Sequence, residues 1–441
     1  MTDSTTAPWL TGLFAPVTDE IDAYDLPVEG ALPPELSGRY FRNGPNPKPG
    51  QTSGHWFVGD GMVHGVRLRD GRAEWYRNRW VRTSRFTDDA EFRRADGTRD
   101  RAAVSANTHV IAHADRIMAL VESGLPHELT PELATVGPID FGGRLTTAMT
   151  AHPKRDPRTG ELLFFGYGFA PPYLTYHRLS ATGELVESRV VEVGGPTMMH
   201  DFAITEHHVV WLDLPVVFDR ESVGGMPYRW DPAYPARLGV MPRAGGAVRW
   251  FDIDPCYVFH VGNAFEDAEG RIVLDAVRYA PEDFAAIWSG IGGGGGAGGG
   301  TGAGRLHRWV LDMRNGIVSE TYCDDRDVEF PTHDEERTGR PSRFLYAVGD
   351  SSIVKYDVGQ GGSTVHDTGA EFAPGEAVFV PAADAHGEDE GWLLTIVSER
   401  GGHGSELLVL DATDLSRTAS VRLPRRVPAG FHGSWIADSR V

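Results

Sequence analysis

The sequence predicts an all-β fold. Three observations carry that prediction. Short apolar runs rich in Val, Leu, Tyr, Trp and Phe recur along the chain, bounded by Gly, Pro, Asp and Asn, which is the pattern of strands separated by turns. The chain holds 54 Gly and 29 Pro in 441 residues, which suits many turns. Long amphipathic helical patterns are scarce.

In chain order, residues 1–30 read as an N-terminal arm. RNGPNP (42–47) reads as a rigid turn, and GDGMVHG (59–65) as the shaping of a hairpin. A short helix is expected near 88–95. The strand runs are 161–169, 207–218, 271–279, 343–350, 392–399 and 406–412. Between them, PEDFAAIWSGI (281–291) is the best helix candidate. It would place Phe284, Ile287, Trp288 and Ile291 on one face. The Gly-rich stretch 292–304 cannot bury apolar surface and reads as a flexible loop. DDRD (324–327) and EDEGW (388–392) read as solvated charged turns. No linker splits the chain, so 1–441 reads as one β domain. A sheet protein of this size must hide its edges, and a propeller or a double sandwich would each do so.

Composition excludes some functions. The formal charge of −20 argues against a nucleic-acid partner, because phosphate recognition needs a basic face. The N-terminus lacks the basic start and apolar core of a signal peptide, and no apolar run is long enough to span a bilayer. Two cysteines, Cys256 and Cys323, make no disulfide framework and fit a reducing cytoplasm. Cys256, four residues from His260, reads as a buried thiol.

Among 17 histidines, four stand apart: His152 in TAHPK, His200 in MMHDF, His260 in FHVGNA and His432 in GFHGSW. Each is isolated, beside small or aromatic residues at a strand end. Wide sequence separation rules out a helix-borne pair one turn apart. Each must come from a different structural unit, on a scaffold that aims distant side chains at one point. Imidazole suits iron, copper, nickel and zinc alike, so ligand type does not choose the metal. Taken singly, each of these residues reads as an ordinary structural or exposed histidine.

The chain resembles the carotenoid cleavage oxygenase family, which includes the stilbene- and phenylpropanoid-cleaving dioxygenases. The phrases that carry the resemblance run from about residue 30 to the C-terminus: GRYFRNGPNP (38–47), HWFVGDGMVHGVRL (55–68), SANTHV (105–110), ALVESGLPHEL (119–129), TAHPK, MMHDFAIT (198–205), FHVGNAFED (259–267), EFP (329–331), PGEAVFVP (374–381) and GFHGSW. The resemblance implies a seven-bladed β-propeller, with loops and short helices capping one Fe(II) on its axis. It implies His152, His200, His260 and His432 as iron ligands and Glu122, Glu329 and Glu376 as carboxylates behind them. Thr108 would stand near an open iron position. Three glutamates for four histidines leave one ring without a carboxylate. His64 is not used as a ligand in the family.

The implied reaction is oxidative cleavage of a carbon–carbon double bond by O₂ to two carbonyl products. The stilbene branch carries a lysine where this chain has Val121. The apolar residue favours a carotenoid or apocarotenoid over a stilbene or vinylphenol, although Tyr173 could supply a phenol contact. The 284–291 face could touch a membrane transiently, which would make a cytoplasmic enzyme peripheral. No obligatory protein partner is expected. A metal-free propeller binding module and a metal hydrolase are the readings from other classes.

Overall fold

The computed structural model describes residues 7–96, 98–219, 221, 226–284 and 304–440. Seven antiparallel sheets follow one another as blades I to VII. The innermost strands are Gly433–Ala437 (I), His109–His113 (II), Lys154–Arg155 (III), Ala203–Ile204 (IV), Tyr257–Glu266 (V), Glu329–Thr332 (VI) and Val378–Pro381 (VII). The fold is the seven-bladed β-propeller that the resemblance implies.

Most expected runs are strands: Leu162–Tyr167, Ile272–Tyr279, Phe344–Val348, Gly391–Glu399 and Ser405–Asp411. Blade-on-blade packing buries both faces of a central strand, so such runs are continuously apolar rather than alternating. In Ile272–Tyr279 every residue is buried.

Several expectations need correction. The run 207–218 is two strands, His208–Asp213 and Val216–Phe218, because Pro215 has no N–H to continue the ladder. Val216–Phe218 turns away to pair with Tyr228–Trp230 as a separate hairpin. RNGPNP is largely strand: Gly38–Pro45 runs through it, with Pro45 opposite Gly61 at the end. Residues 61–65 are likewise strand, inside Gly61–Arg69. The first helix is Ser84–Asp88, capped by Thr83 and ended by Asp89 at φ +50°, earlier than expected.

Residues 281–284 are helical, and the remainder of the second helix candidate lies outside the described residues, as do Ile287, Trp288, Ile291 and 292–303. Phe284 is buried against Tyr257, Phe259 and Trp230, so it does not face a membrane. Asp389 pairs with Lys355, and Glu388 accepts the Arg343 and Phe344 N–H groups, so that turn is anchored rather than simply solvated. Both cysteines are free thiols, and burial pushes Cys256 up to about 12.

The two ends of the chain lock the ring. Gly433–Ala437 pairs with Gly38–Pro45 to complete blade I. From the N-terminal arm, Asp22–Tyr24 pairs with Arg72–Trp80 on blade I, and Val28–Gly30 pairs with Arg417–Arg422 on blade VII. Asp438 fastens this clasp. It takes both ends of the buried Arg67 guanidinium, Arg39 Nη1 at 2.9 Å and the Ser37 hydroxyl at 2.8 Å. Its hydrogen bond to Arg67 is the main reason its carboxyl is held far below the ordinary carboxylate range.

A group depressed in this way stabilises the fold above its unfolded pKa, and the gain is lost as pH falls through the folded value. Asp438→Asn should therefore lower stability at neutral pH by about 2 kcal/mol, since the buried Arg67 keeps only Glu74, at 3.5 Å, as its anion. The gap to the unsubstituted protein should narrow steadily below about pH 4. Denaturant melts across that pH range check both the loss and its sign.

Candidate metal centre

Six of the seven blades bring one candidate ligand or carboxylate to the axis on or beside the innermost strand. His152 and His200 lie just before the inner strands of blades III and IV, and His432 immediately before that of blade I. His260 is inside the inner strand of blade V, at a bulge where the register shifts between Val258 and Val261. A bulge re-aims a side chain that regular pairing would leave in the blade. Glu329 opens the inner strand of blade VI, and Glu376 precedes that of blade VII. Blade II differs: Glu122 follows its second strand, Arg116–Leu120.

The structure brings the four histidines together. His200 Nε2 lies 3.1 Å from His152 Nε2 and 3.3 Å from His260 Nε2. The His432 ring is 4.6 Å from that of His152 and 4.9 Å from that of His260, centre to centre. Neighbouring ligands of one ion stand about 3.0–3.4 Å apart when metal–nitrogen bonds are about 2.1 Å.

The carboxylates decide what these nitrogens can do. Glu122 lies against His200 Nδ1. Glu329 Oε2 is 2.5 Å from His260 Nδ1, and Glu376 Oε1 is 3.1 Å from His432 Nδ1. A carboxylate accepts only, so each of these Nδ1 atoms carries the proton and Nε2 presents its lone pair inward. Facing lone pairs at 3.3 Å repel unless a cation lies between them. His152 is the histidine without such a partner: no described carboxylate is hydrogen-bonded to it.

Electrostatics favour a cation here. Burial, helped by the neighbouring rings, drives His152 and His432 well below the ordinary imidazole range, so both stay neutral with a lone pair free. Burial also opposes charge on His260, but the Glu329 carboxylate outweighs it and raises its pKa, so at this ring a proton and a metal ion compete for Nε2. Three carboxylates surround the rings, and the buried Arg42 guanidinium beside Glu376 offsets part of their charge. Four imidazoles, three of them backed by carboxylates, suit a transition metal.

The carboxylates are themselves held. Glu122 Oε2 accepts from the Tyr167 hydroxyl at 2.6 Å, and Glu329 Oε1 from Tyr279 at 2.7 Å. Glu376 Oε2 accepts the Gly433 N–H at 2.7 Å, one residue beyond His432. Phe330 takes the left-handed φ of +51°, rare for an aromatic residue. There its ring stacks on His260 at 5.0 Å and meets His432 edge-on at 5.4 Å. Phe259 meets His200 at 5.5 Å. Beyond it, Phe169 and Phe218 stack at 3.8 Å beside Tyr228, giving the site aromatic surroundings.

Thr108 reaches the cluster through its backbone. Its carbonyl accepts the His432 N–H at 3.2 Å, and its hydroxyl donates to Asn107 Oδ1 at 3.1 Å. His64 is bonded to Tyr76 at 2.8 Å, outside the cluster, and burial lowers it to about 3. Sequence reasoning missed His109, Tyr167, Tyr279 and Phe330. The His109 ring lies 5.1 Å from that of His432, and its Nδ1 donates to the Ala151 carbonyl beside His152. Its signal was its place next to Thr108 in SANTHV. The tyrosines sit in ordinary strand runs and gave none.

Glu376→Gln should fold normally yet bind a divalent transition metal about 10–100-fold more weakly, because an amide cannot serve both His432 Nδ1 and the Gly433 N–H. Anaerobic metal titration of the apoprotein measures this, and unchanged affinity would refute the orienting role.

A family model described as retinal pigment epithelial membrane protein matches residues 14–437. A carotenoid cleavage oxygenase from Mycobacterium tuberculosis is 41% identical over 97% of both chains. Among solved structures, a point mutant of Synechocystis apocarotenoid oxygenase matches with a TM-score of 0.85 at 28% identity, covering 98% of each chain. Lignostilbene dioxygenase from Pseudomonas brassicacearum matches with a TM-score of 0.84 at 29% identity, also over 98% of each. With the histidine cluster at the axis of seven blades, these likenesses fix the assignment: the chain belongs to the carotenoid cleavage oxygenase family.

Proposed function

We propose that this protein is an Fe(II)-dependent dioxygenase that cleaves one carbon–carbon double bond of a carotenoid or apocarotenoid into two carbonyl products. The observation that carries the reading is the set of four buried imidazoles with inward lone pairs, three of them oriented by carboxylates. His152, His200, His260 and His432 would hold the ion. Four protein ligands would leave room at the ion for small molecules. When bound, Fe(II) supplies the activation of O₂, and alkene plus O₂ balances to two carbonyls with no external reductant.

The protein's own work is placement. Glu122, Glu329 and Glu376 keep the Nδ1 protons in place, so no ligand nitrogen turns away. Phe259 and Phe330 pack on ligand rings and keep water from them. No residue is needed as acid or base, which agrees with carboxylates that are all engaged. Thr108 stands beside His432 and would border the open positions.

Substrate class rests on apolar surroundings. Val121, buried next to Glu122, offers no cation for a phenolate. The relatives named for carotenoid cleavage support the same choice. Stilbene or vinylphenol cleavage is the second reading, favoured by the equal likeness to lignostilbene dioxygenase. Tyr173 would not decide it through its backbone, which closes a turn with Gly168. The binding-module and hydrolase readings lose ground to the oriented lone pairs and to the engagement of Glu122, Glu329 and Glu376 with the outer ring nitrogens.

A small apolar or aromatic alkene is the expected partner. The charge of −20 argues against a nucleic-acid partner, and no obligatory protein partner is expected. Among the described residues no helix is long and apolar enough to cross a membrane. A cytoplasmic location with transient contact at a membrane surface fits an apolar substrate.

Iron-loaded protein should consume O₂ with an apocarotenal and release aldehydes of the masses set by one cleaved bond. A carotenoid, a hydroxystilbene and a vinylphenol tested alongside decide the substrate. Cleavage of only the phenolic alkenes would reverse the choice, and product without O₂ uptake would point to hydrolysis. His200→Ala should abolish both iron loading and turnover, and full activity in that variant would remove His200 from the site.

A further inference from the structure

Asp201 directly follows His200 and is 3% exposed. Its Oδ1 receives the Lys154 ammonium and the Phe202 N–H, each at 2.8 Å. Its Oδ2 accepts the Val261 N–H, also at 2.8 Å. Lys154 stands two residues after His152, and Val261 directly follows His260. One carboxylate therefore ties together the inner strands of blades III, IV and V beside three of the four histidines.

We propose that Asp201 is a positioning residue of the metal centre: with Lys154 it sets the spacing of His152, His200 and His260. This rests on the metal reading given above. Within a blade, backbone ladders fix the strands. Between blades there is no ladder, so spacing depends on side-chain packing and on ties of this kind. Glu122, Glu329 and Glu376 act on ring orientation, whereas Asp201 acts on the backbones that carry the rings.

The residue type follows from the partners. All three groups on Asp201 are donors, and a carboxylate is acceptor-only with room for all of them. An asparagine would turn its own N–H₂ toward a donor and lose at least one tie. Lys154 neutralises the buried charge, so the tie adds no net charge beside the ion. Asp213 makes a useful contrast. It is as deeply buried and binds Arg237 and Tyr234 on blade IV, but it touches no residue next to a histidine of the cluster.

The test is Co(II) titration of apoprotein, read by affinity and by the visible ligand-field bands. Unsubstituted protein should bind Co(II), and His200→Ala should not. If either result fails, the metal reading falls and this inference with it. Asp201→Asn should bind Co(II) at least about tenfold more weakly and shift the bands. Asp213→Asn should lower thermal stability while leaving affinity and bands unchanged. Should Asp201→Asn fail to fold, Lys154→Met reads the same point, with a smaller loss of affinity and shifted bands. Unchanged affinity and bands in the folded variants, whatever their thermal stability, would overturn the proposal and leave Asp201 a purely structural residue.

Discussion

Closure of the ring is the constraint on which the rest depends. His432 is the residue immediately before the strand that clasps the C-terminus onto Gly38–Pro45. The last candidate ligand and the last structural bond of the propeller are thus neighbours in the chain. Glu376 joins them again, holding the His432 ring with one oxygen and the first amide of the closing strand with the other. An open ring would leave three imidazoles on blades III to V and no fourth. These contacts span almost the whole sequence, so the loop-closure entropy must be met before the site can form.

Around the axis, the centre is built in layers that each answer the charge of the last. Imidazoles face inward. Carboxylates hold their outer nitrogens, and tyrosine hydroxyls or a backbone amide hold the carboxylates. Arg42 adds a buried cation beside Glu376. Its approach depends on Gly375, where a Cβ would stand 1.9 Å from the guanidinium. Burying this much charge is costly unless it is paired and hydrogen-bonded. The arrangement stabilises a centre that can receive a divalent ion without moving, which suits a reaction governed by placement.

Much of this was legible in the residues, and the limits have physical causes. Strand runs such as Gly391–Glu399 announce themselves because a strand buried on both faces is apolar throughout. Pro215 marked the break in 207–218, and the prediction passed over it. The four histidines stood out by isolation, but their convergence is a property of ring closure and not of any local pattern. The glutamates were visible only through the family's phrases, because a lone Glu in a loop has no signature. Tyr167, Tyr279 and Asp201 matter through partners 45 to 60 residues away, on neighbouring blades, where sequence spacing carries no information.

X-ray absorption at the metal edge of iron-loaded protein, recorded with its fine structure, tests the central claim most directly. Four nitrogen scatterers with the outer-shell pattern of imidazole, and no sulfur, are the predicted result. A first shell with three or fewer imidazoles, or one containing sulfur, would contradict the four-histidine centre and the function built on it.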